Sequence, residues 1–266
     1  MIIRKTVPVK SLVSPSKLPG TDFVINPYIG CPHKCLYCYA EFMKRFTDHT
    51  EDWGDFLDVK ETGTTLPVKR LAGKRIVISS VTDPYNAFEK RYRVTRNVLE
   101  QLQACAAHIT LITKSDLVLR DIDLIGKQAD IQVAVSINSL DDVFRRRFEP
   151  RAPDAKRRLS AIRQLNEAGI RTVLFMSPIF PGITRFAEIV EASRTFTDEY
   201  WFENLNLDNM ARNRVARAIG RHYPGLIPLY RAIYREGDKT YWDGLAGEID
   251  DYCRKNALAY RNLFHG

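Results

Sequence analysis

This sequence predicts an α/β protein: a partial (β/α)6 barrel with parallel strands and a helical C-terminal extension. Three observations carry that expectation. Six short runs rich in β-branched residues alternate with helical patterns, the mark of parallel β/α units. Six units are too few for a closed eight-strand barrel and suit an open one. The segments leaving the strands are polar and marked by glycine or proline, whereas those entering them (LAGK, AAH, KQAD, NEAG) are plain.

The first strand is FVINPYIG (23–30), which runs straight into a cluster of cysteines. A helix is expected from Leu36 to about Phe46, then a polar, aromatic loop with an extended piece near Phe56 to Lys60. KRIVISS (74–80) is the second strand, and VTRNVLEQLQACAA (94–107) has apolar residues at helical spacing. HITLIT (108–113) and IQVAVSI (131–137) are the third and fourth strands, joined through the helical stretch LVLRDIDLIGKQ (117–128). DAKRRLSAIRQLNEAG (154–169) reads as a helix stopped by Gly169. IRTVLFMSPIF (170–180) is the fifth strand, RFAEIVEASRTF (185–196) a helix and EYWFENLNL (199–207) the sixth strand. From Met210 the pattern is mostly helical. No linker divides the chain, so the expected organisation is a barrel over 1–209 with a helical extension over 210–266 packed on it. Tyr234, Tyr241, Trp242 and several arginines of that extension are expected to cover the barrel mouth.

A chain of 266 residues with 45% apolar content can bury a sizeable core. No window approaches the roughly 18 apolar residues of a membrane span. MIIRKTVPVK lacks the apolar run of a secretory signal, so a soluble, cytoplasmic protein with no membrane partner is expected. The net charge is +8, which suits a nucleic acid, an acidic protein or an anionic small molecule. The basic residues are spread over several segments, including Arg145 to Arg147 and ARNRVARAIGRH, with no basic tail.

Three of the five cysteines lie in GCPHKCLYCYAEF (30–42). A secreted disulfide scaffold would distribute an even number. Cys105 and Cys253 sit in helical patterns and read as small buried hydrophobes. Cys31, Cys35 and Cys38 are a different matter: three soft thiolates on one loop can grip three corners of an iron–sulfur cubane and leave a fourth iron free. Structural zinc is the alternative, but it takes four ligands, often as two separated pairs, and no second pair exists. His33 could be a fourth ligand, though its place between the first two cysteines makes tetrahedral closure awkward. In parallel β/α folds the chemistry gathers at the C-terminal ends of the strands. Those ends carry the cysteine loop, SSVTDPY, TKSD, SINS, SPIFPG and ENLN.

CPHKCLYC resembles the CxxxCxxC signature of the radical S-adenosylmethionine (radical SAM) superfamily, with the aromatic residue that this family favours before the last cysteine. SSVTDPY, TKS, VSIN, FEPRAP, RRLSAIRQLNEAGI and SPIFPG resemble stretches of its spore photoproduct lyase-like group, over roughly residues 20 to 185. The resemblance implies a partial (β/α)6 barrel and a [4Fe-4S] cluster held by Cys31, Cys35 and Cys38. It implies S-adenosylmethionine bound at the unique iron, reductive cleavage to a 5′-deoxyadenosyl radical, and hydrogen abstraction from a substrate. A flavodoxin or ferredoxin would be the reductant.

The resemblance also suggests site residues, each with a plainer possibility beside it. Lys114 resembles the lysine that contacts the cofactor in the lyase, and its ammonium can meet a carboxylate; an ordinary surface lysine is the alternative. Ser136 and Asn138 can hydrogen-bond the ribose or carboxylate, or simply cap a strand end. Glu149 and Arg158 match an E…R pair of the family, or form a salt bridge that fixes their loop. Thr82 and Asp83 stand where the family often recognises the cofactor's amino group; Asp83 before Pro84 also suits a turn. Tyr37 is expected to offer a backbone contact to adenine, or to pack. Tyr37 and Tyr39 resemble two tyrosines of the lyase and are the catalytic candidates. One departure is plain: the lyase's hydrogen-donor cysteine after the second strand corresponds to Val81, which has no such labile hydrogen. Cys105, expected mid-helix, cannot stand in for it.

The substrate is therefore open between a nucleic acid and a small molecule or peptide. The rival class is a metal-stabilised nucleic-acid-binding protein without catalysis, which would bind zinc and show salt-dependent affinity. A simple electron carrier would need four cysteine ligands.

Overall fold

The computed structural model describes residues 2–63, 65–207 and 210–265. The boundary expected at 209/210 falls on Asp208 and Asn209, outside the described residues. Eleven strands are found among the described residues: β1 (Ile3–Pro8), β2 (Val13–Pro15), β3 (Phe23–Ile25), β4 (Tyr28–Ile29), β5 (Phe56–Glu61), β6 (Arg75–Ile78), β7 (His108–Thr113), β8 (Ile131–Ser136), β9 (Arg171–Ile179), β10 (Glu199–Asn204) and β11 (Tyr260–Asn262). The main sheet has eight strands in the order β11-β10-β9-β8-β7-β6-β3-β2. All neighbours in it pair parallel except β2 with β3.

The six strands expected from sequence are β3 and β6 to β10, side by side in chain order. The sheet is open, with β2 and β11 at its edges. Strands β8 and β9 are buried on both faces, as parallel strands under helices must be, and this explains their unbroken apolar runs. The helix Ala155–Glu167 shows how the covering layer forms. The Asp154 carboxylate caps it by accepting from the Arg157 amide at 2.8 Å, and Arg158, Ala161, Ile162 and Leu165 share the buried face.

Several local expectations are corrected. The stretch from Leu36 is not an α-helix: residues 36–37 turn, Cys38 is extended, and a 3-10 helix follows over Tyr39–Phe46. The Leu36 amide there donates to the Phe148 carbonyl, a distant partner that no helix within the loop could supply. The helix over 94–107 stops at Leu102, so Cys105 lies beyond its end, buried, with its thiol against the Val68 carbonyl at 3.4 Å. The stretch over 117–128 is a 3-10 helix, Asp116–Asp121, followed by a single α-turn, Ile122–Ile125. The extended piece at Phe56 is β5 of a separate three-stranded sheet ordered β1-β5-β4.

The C-terminal segment is helical over Arg212–His222, Ile227–Arg231 and Thr240–Lys255, with a π turn at Ala232–Glu236. It does not end as helix. The chain turns at Ala257, in the left-handed region, and β11 joins the main sheet beside β10. Ile249 and Cys253 are buried in the same core as the strands. Tyr234 donates to the Leu205 carbonyl at 2.8 Å and Tyr241 accepts from the Gly182 amide at 3.0 Å, so this segment rests on the loops that leave β9 and β10.

Gly30 opens the cysteine loop at φ +87°, and a Cβ there would lie 2.5 Å from the Phe56 carbonyl oxygen. Gly30→Ala should cost about 1–3 kcal/mol in urea unfolding. Gly220→Ala, inside the helix Arg212–His222 with open space around it, should stabilise by about 0.5–1 kcal/mol. Equal effects at the two positions would contradict the packing described for the loop.

Candidate active site

The loop after β4 carries the three cysteines, and the chain ties it down at several points. Lys34 takes a left-handed conformation (φ 54°), and its ammonium pairs with the Asp55 carboxylate. A Cβ on the neighbouring Gly54 would stand 2.6 Å from the Lys34 side chain. Arg151 reaches the same Asp55 at 2.8 Å, and its amide donates to the His33 carbonyl. The Trp53 indole donates to the Cys38 sulfur at 3.3 Å. Trp53, Asp55 and Arg151 were not anticipated, because their roles exist only through contacts with a distant loop.

Cys31, Cys35 and Cys38 are free and half-buried. Burial pushes all three thiols up, and Cys31 is raised further by Asp83, Cys35 and Cys38. Each therefore lies within electrostatic reach of another. Among the described residues no three His, Cys, Asp or Glu side chains gather tightly enough to hold a single metal ion.

Beneath the loop lies a buried polar knot around Glu149. Its carboxylate accepts from the Tyr37 hydroxyl and pairs with Arg158. The Asn138 amide donates to the Tyr37 oxygen at 3.0 Å and to Glu149 at 3.2 Å. Arg158 completes its donors on the Ser136 carbonyl at 2.9 Å and the Pro153 carbonyl at 2.8 Å. The Lys114 ammonium lies 4.0 Å from Glu149 and 3.4 Å from the Ser177 carbonyl. Burial alone would raise the Glu149 carboxyl, but Arg158, Lys114 and the Tyr37 hydroxyl hold it down at about 2. Burial and Glu149 push the Tyr37 phenol far up.

The structure thus brings together Tyr37, Lys114, Asn138, Glu149 and Arg158, with Ser136 contributing its backbone carbonyl. It places the other expected residues differently. Asp83 is buried, and its oxygens accept from the Thr113 hydroxyl and from the Tyr85 and Lys114 amides, at 2.8 to 2.9 Å. His33 stands 3.4 Å from it. The Thr82 hydroxyl donates to the Gly30 carbonyl at 2.7 Å. Tyr39 is half exposed and donates to the Ser80 carbonyl, apart from buried Tyr37. Val81 packs against the cluster of Ala40, Trp53 and Phe56 that Cys31 and Cys38 also touch.

Ser177 and Glu203, at the ends of β9 and β10, were not singled out by sequence. The Ser177 hydroxyl donates to Glu203, whose other oxygen faces His265 at 3.2 Å. Their only signal was membership of the strand-end stretches SPIFPG and ENLN.

The sequence pattern of the radical SAM superfamily matches residues 25–194. The chain belongs to the radical SAM superfamily. It is 37% identical over 254 residues to an uncharacterized protein of Methanocaldococcus jannaschii, covering 96% of this chain and 94% of that one. It is 26% identical over 170 residues to a probable dual-specificity RNA methyltransferase RlmN of Staphylococcus aureus, covering 62% of this chain and 46% of the relative. In structure it resembles spore photoproduct lyase complexed with dinucleoside spore photoproduct, with a TM-score of 0.60 and 18% identity, over 82% of this chain and 66% of the lyase. That likeness is one of fold. Membership of the superfamily supports an enzyme that uses radical chemistry, and it implies S-adenosylmethionine and a [4Fe-4S] cluster. The donor set fits such a cluster in its chemistry: three free, soft thiols on one loop that Lys34 and Trp53 tie down.

Removing one partner of the buried Glu149–Arg158 pair should cost about 3–5 kcal/mol. Glu149→Gln and Arg158→Met should each reach that range in urea unfolding, and the double variant should lose less than their sum. The folded-state pKa of Glu149 is depressed from 4.5 to about 2, so its stabilising contribution is full above 4.5 and fades as pH falls toward 2. The stability gap between wild type and Glu149→Gln should therefore narrow below pH 4.5; a gap independent of pH would contradict the pairing.

Proposed function

We propose that Cys31, Cys35 and Cys38 hold a [4Fe-4S] cluster and that the strand ends beside them bind S-adenosylmethionine, making this chain an enzyme that abstracts a hydrogen atom from its substrate. The observation that carries the reading is a trio of free thiols on one pinned loop at the C-terminal ends of six parallel strands in chain order. That strand order also supports the partial barrel. When bound, the cluster supplies the electron that cleaves S-adenosylmethionine to a 5′-deoxyadenosyl radical.

The chain's own residues divide into two groups on this reading. Lys114 is the cofactor-contacting residue: its ammonium is only partly buried and, among the described residues, has no closer carboxylate than Glu149 at 4.0 Å. It can donate to the cofactor's carboxylate. Ser136 and Asn138 line the same strand end. Glu149, Arg158, Asp83 and Thr82 are positioning residues. Asp83 fixes the Lys114 backbone and faces His33, and Thr82 grips Gly30. Tyr37 serves through Glu149, and Tyr39 remains the tyrosine open to substrate.

Valine at position 81 cannot return a hydrogen atom, so thymine-dimer repair in the manner of the lyase is not part of the proposal. A nucleic-acid substrate is favoured by the +8 charge and by two relatives whose names concern an RNA methyltransferase and a dinucleoside. The reductant is of the flavodoxin or ferredoxin class.

Anaerobic reconstitution with iron and sulfide should give a brown protein with about four irons per chain. Dithionite and S-adenosylmethionine should then yield 5′-deoxyadenosine. Cys35→Ala should lose most of the iron, and Lys114→Met should keep it while weakening S-adenosylmethionine binding about tenfold, or 1.4 kcal/mol. A colourless protein that binds zinc, or unchanged iron in Cys35→Ala, would overturn the reading.

A further inference from the structure

A basic and aromatic face runs alongside the cysteine loop. Its spine is the helix Arg212–His222, which buries Val215, Ala218 and Ile219 and turns Arg214, Arg217 and Arg221 toward the other side. Arg214 and Arg221 are seven residues apart, about 10 Å along the helix axis. At one end, Arg214 donates to the Leu36 carbonyl inside the cysteine loop at 3.4 Å and pairs with Glu41 at 2.6 Å. Glu41 opens the 3-10 helix that carries Phe42, Arg45 and Phe46. At the other end, Arg147 lies over the Tyr223 ring at 5.8 Å. Among the described residues no carboxylate pairs with Arg147, Arg217 or Arg221. The cations there act on one another's surroundings: burial, then Arg147 and Arg221, lower the pKa of His222.

The aromatic part is unusual for a free surface. Phe46 is 61% exposed and Tyr39 50% exposed, where most phenyl groups would be covered. The Arg45 guanidinium lies over both Phe42 and Phe46, at 5.4 and 4.7 Å. Exposed rings beside guanidinium groups match what single-stranded nucleic acid needs: flat faces for bases and cations for successive phosphates. Rings and arginines also serve protein–protein interfaces, so an acidic protein such as a flavodoxin is the competing occupant, and the experiment below separates the two. Arginine also stacks on bases and bonds phosphate in a way lysine does not, and the stripe on this helix is all arginine.

We propose that this face binds single-stranded nucleic acid and leads it past the cysteine loop, so that a base can reach the site. The inference rests on the radical reading above for its purpose, but the binding surface is independent of the cluster.

The test is fluorescence anisotropy with a fluorescein-labelled 20-nucleotide oligothymidylate, using the full, anaerobically reconstituted chain over a salt series. Arg217→Glu with Arg221→Glu should weaken binding at least tenfold and reduce the slope of log K against log salt by about 1.4, two phosphates at roughly 0.7 each. Phe46→Ala should weaken binding several-fold without changing the slope. Lys127→Glu, exposed at the opposite, entering end of β8, should leave binding unchanged. Circular dichroism melts of each variant verify that it is folded. The proposal is overturned if the double reversal binds like wild type, or if Lys127→Glu weakens binding equally. It is also overturned if wild type ignores the oligonucleotide while a flavodoxin binds and loses binding on the double reversal. Production of 5′-deoxyadenosine by wild type without any oligonucleotide separates the two readings: its presence with no oligonucleotide binding removes this inference alone.

Discussion

One buried carboxylate organises the functional end of this molecule. Glu149 is almost wholly removed from water, and a charge in that position is tolerable only because Arg158, Lys114, Tyr37 and Asn138 surround it. Tyr37 belongs to the cysteine loop, Lys114 follows β7, Asn138 follows β8, and Arg158 belongs to the helix Ala155–Glu167. A single anion thus joins the loop to two strand ends and one helix. The Leu36 amide on the Phe148 carbonyl and the Arg151 amide on the His33 carbonyl repeat the tie on either side. The aromatic contacts of Tyr37 and Phe148 with Phe180 fill the space below.

Asp83 is a second such anchor. It fixes the start of the loop after β7 through the Lys114 amide and stands against His33 from the cysteine loop. The two carboxylates hold the cysteine loop through different residues, Glu149 through Tyr37 and Asp83 through His33. Their positions leave the Lys114 ammonium as the cation with the loosest ties. This is the physical basis for assigning contact to Lys114 and positioning to the carboxylates. A carboxylate whose oxygens are already occupied has little left to offer a ligand.

The sheet was legible in the sequence because parallel strands under helices must be apolar on both faces, and such runs are hard to mistake. The cysteine loop was legible because thiol spacing is a local property. Strands β1, β2 and β11 were not. They are short or solvent-exposed, with little apolar alternation to mark them. The 3-10 geometry after Tyr39 depends on contacts the loop makes elsewhere. Glu149 and Arg158 could be foreseen as a salt bridge, being nine residues apart, but the bond from Tyr37 spans 112 residues and depends on the fold. Asp83 shows the converse. Its place before Pro84 suggested a turn, which the Tyr85 amide donating to its carboxylate forms, while the contacts to Thr113 and the Lys114 amide could not be read locally. Tyr37 and Tyr39, which resemble two tyrosines of the lyase, differ in burial, Tyr37 being buried and Tyr39 half exposed.

On the proposed reading, the knot around Glu149 holds the loop of three thiols so that one corner of a bound cluster is open to a sulfonium nucleotide. Low-temperature electron paramagnetic resonance of the reduced, reconstituted protein tests it most directly. The account predicts a spin-half cluster signal whose g-values change when S-adenosylmethionine is added, and a smaller change in Glu149→Gln. A signal that is indifferent to S-adenosylmethionine in the wild-type protein would contradict it.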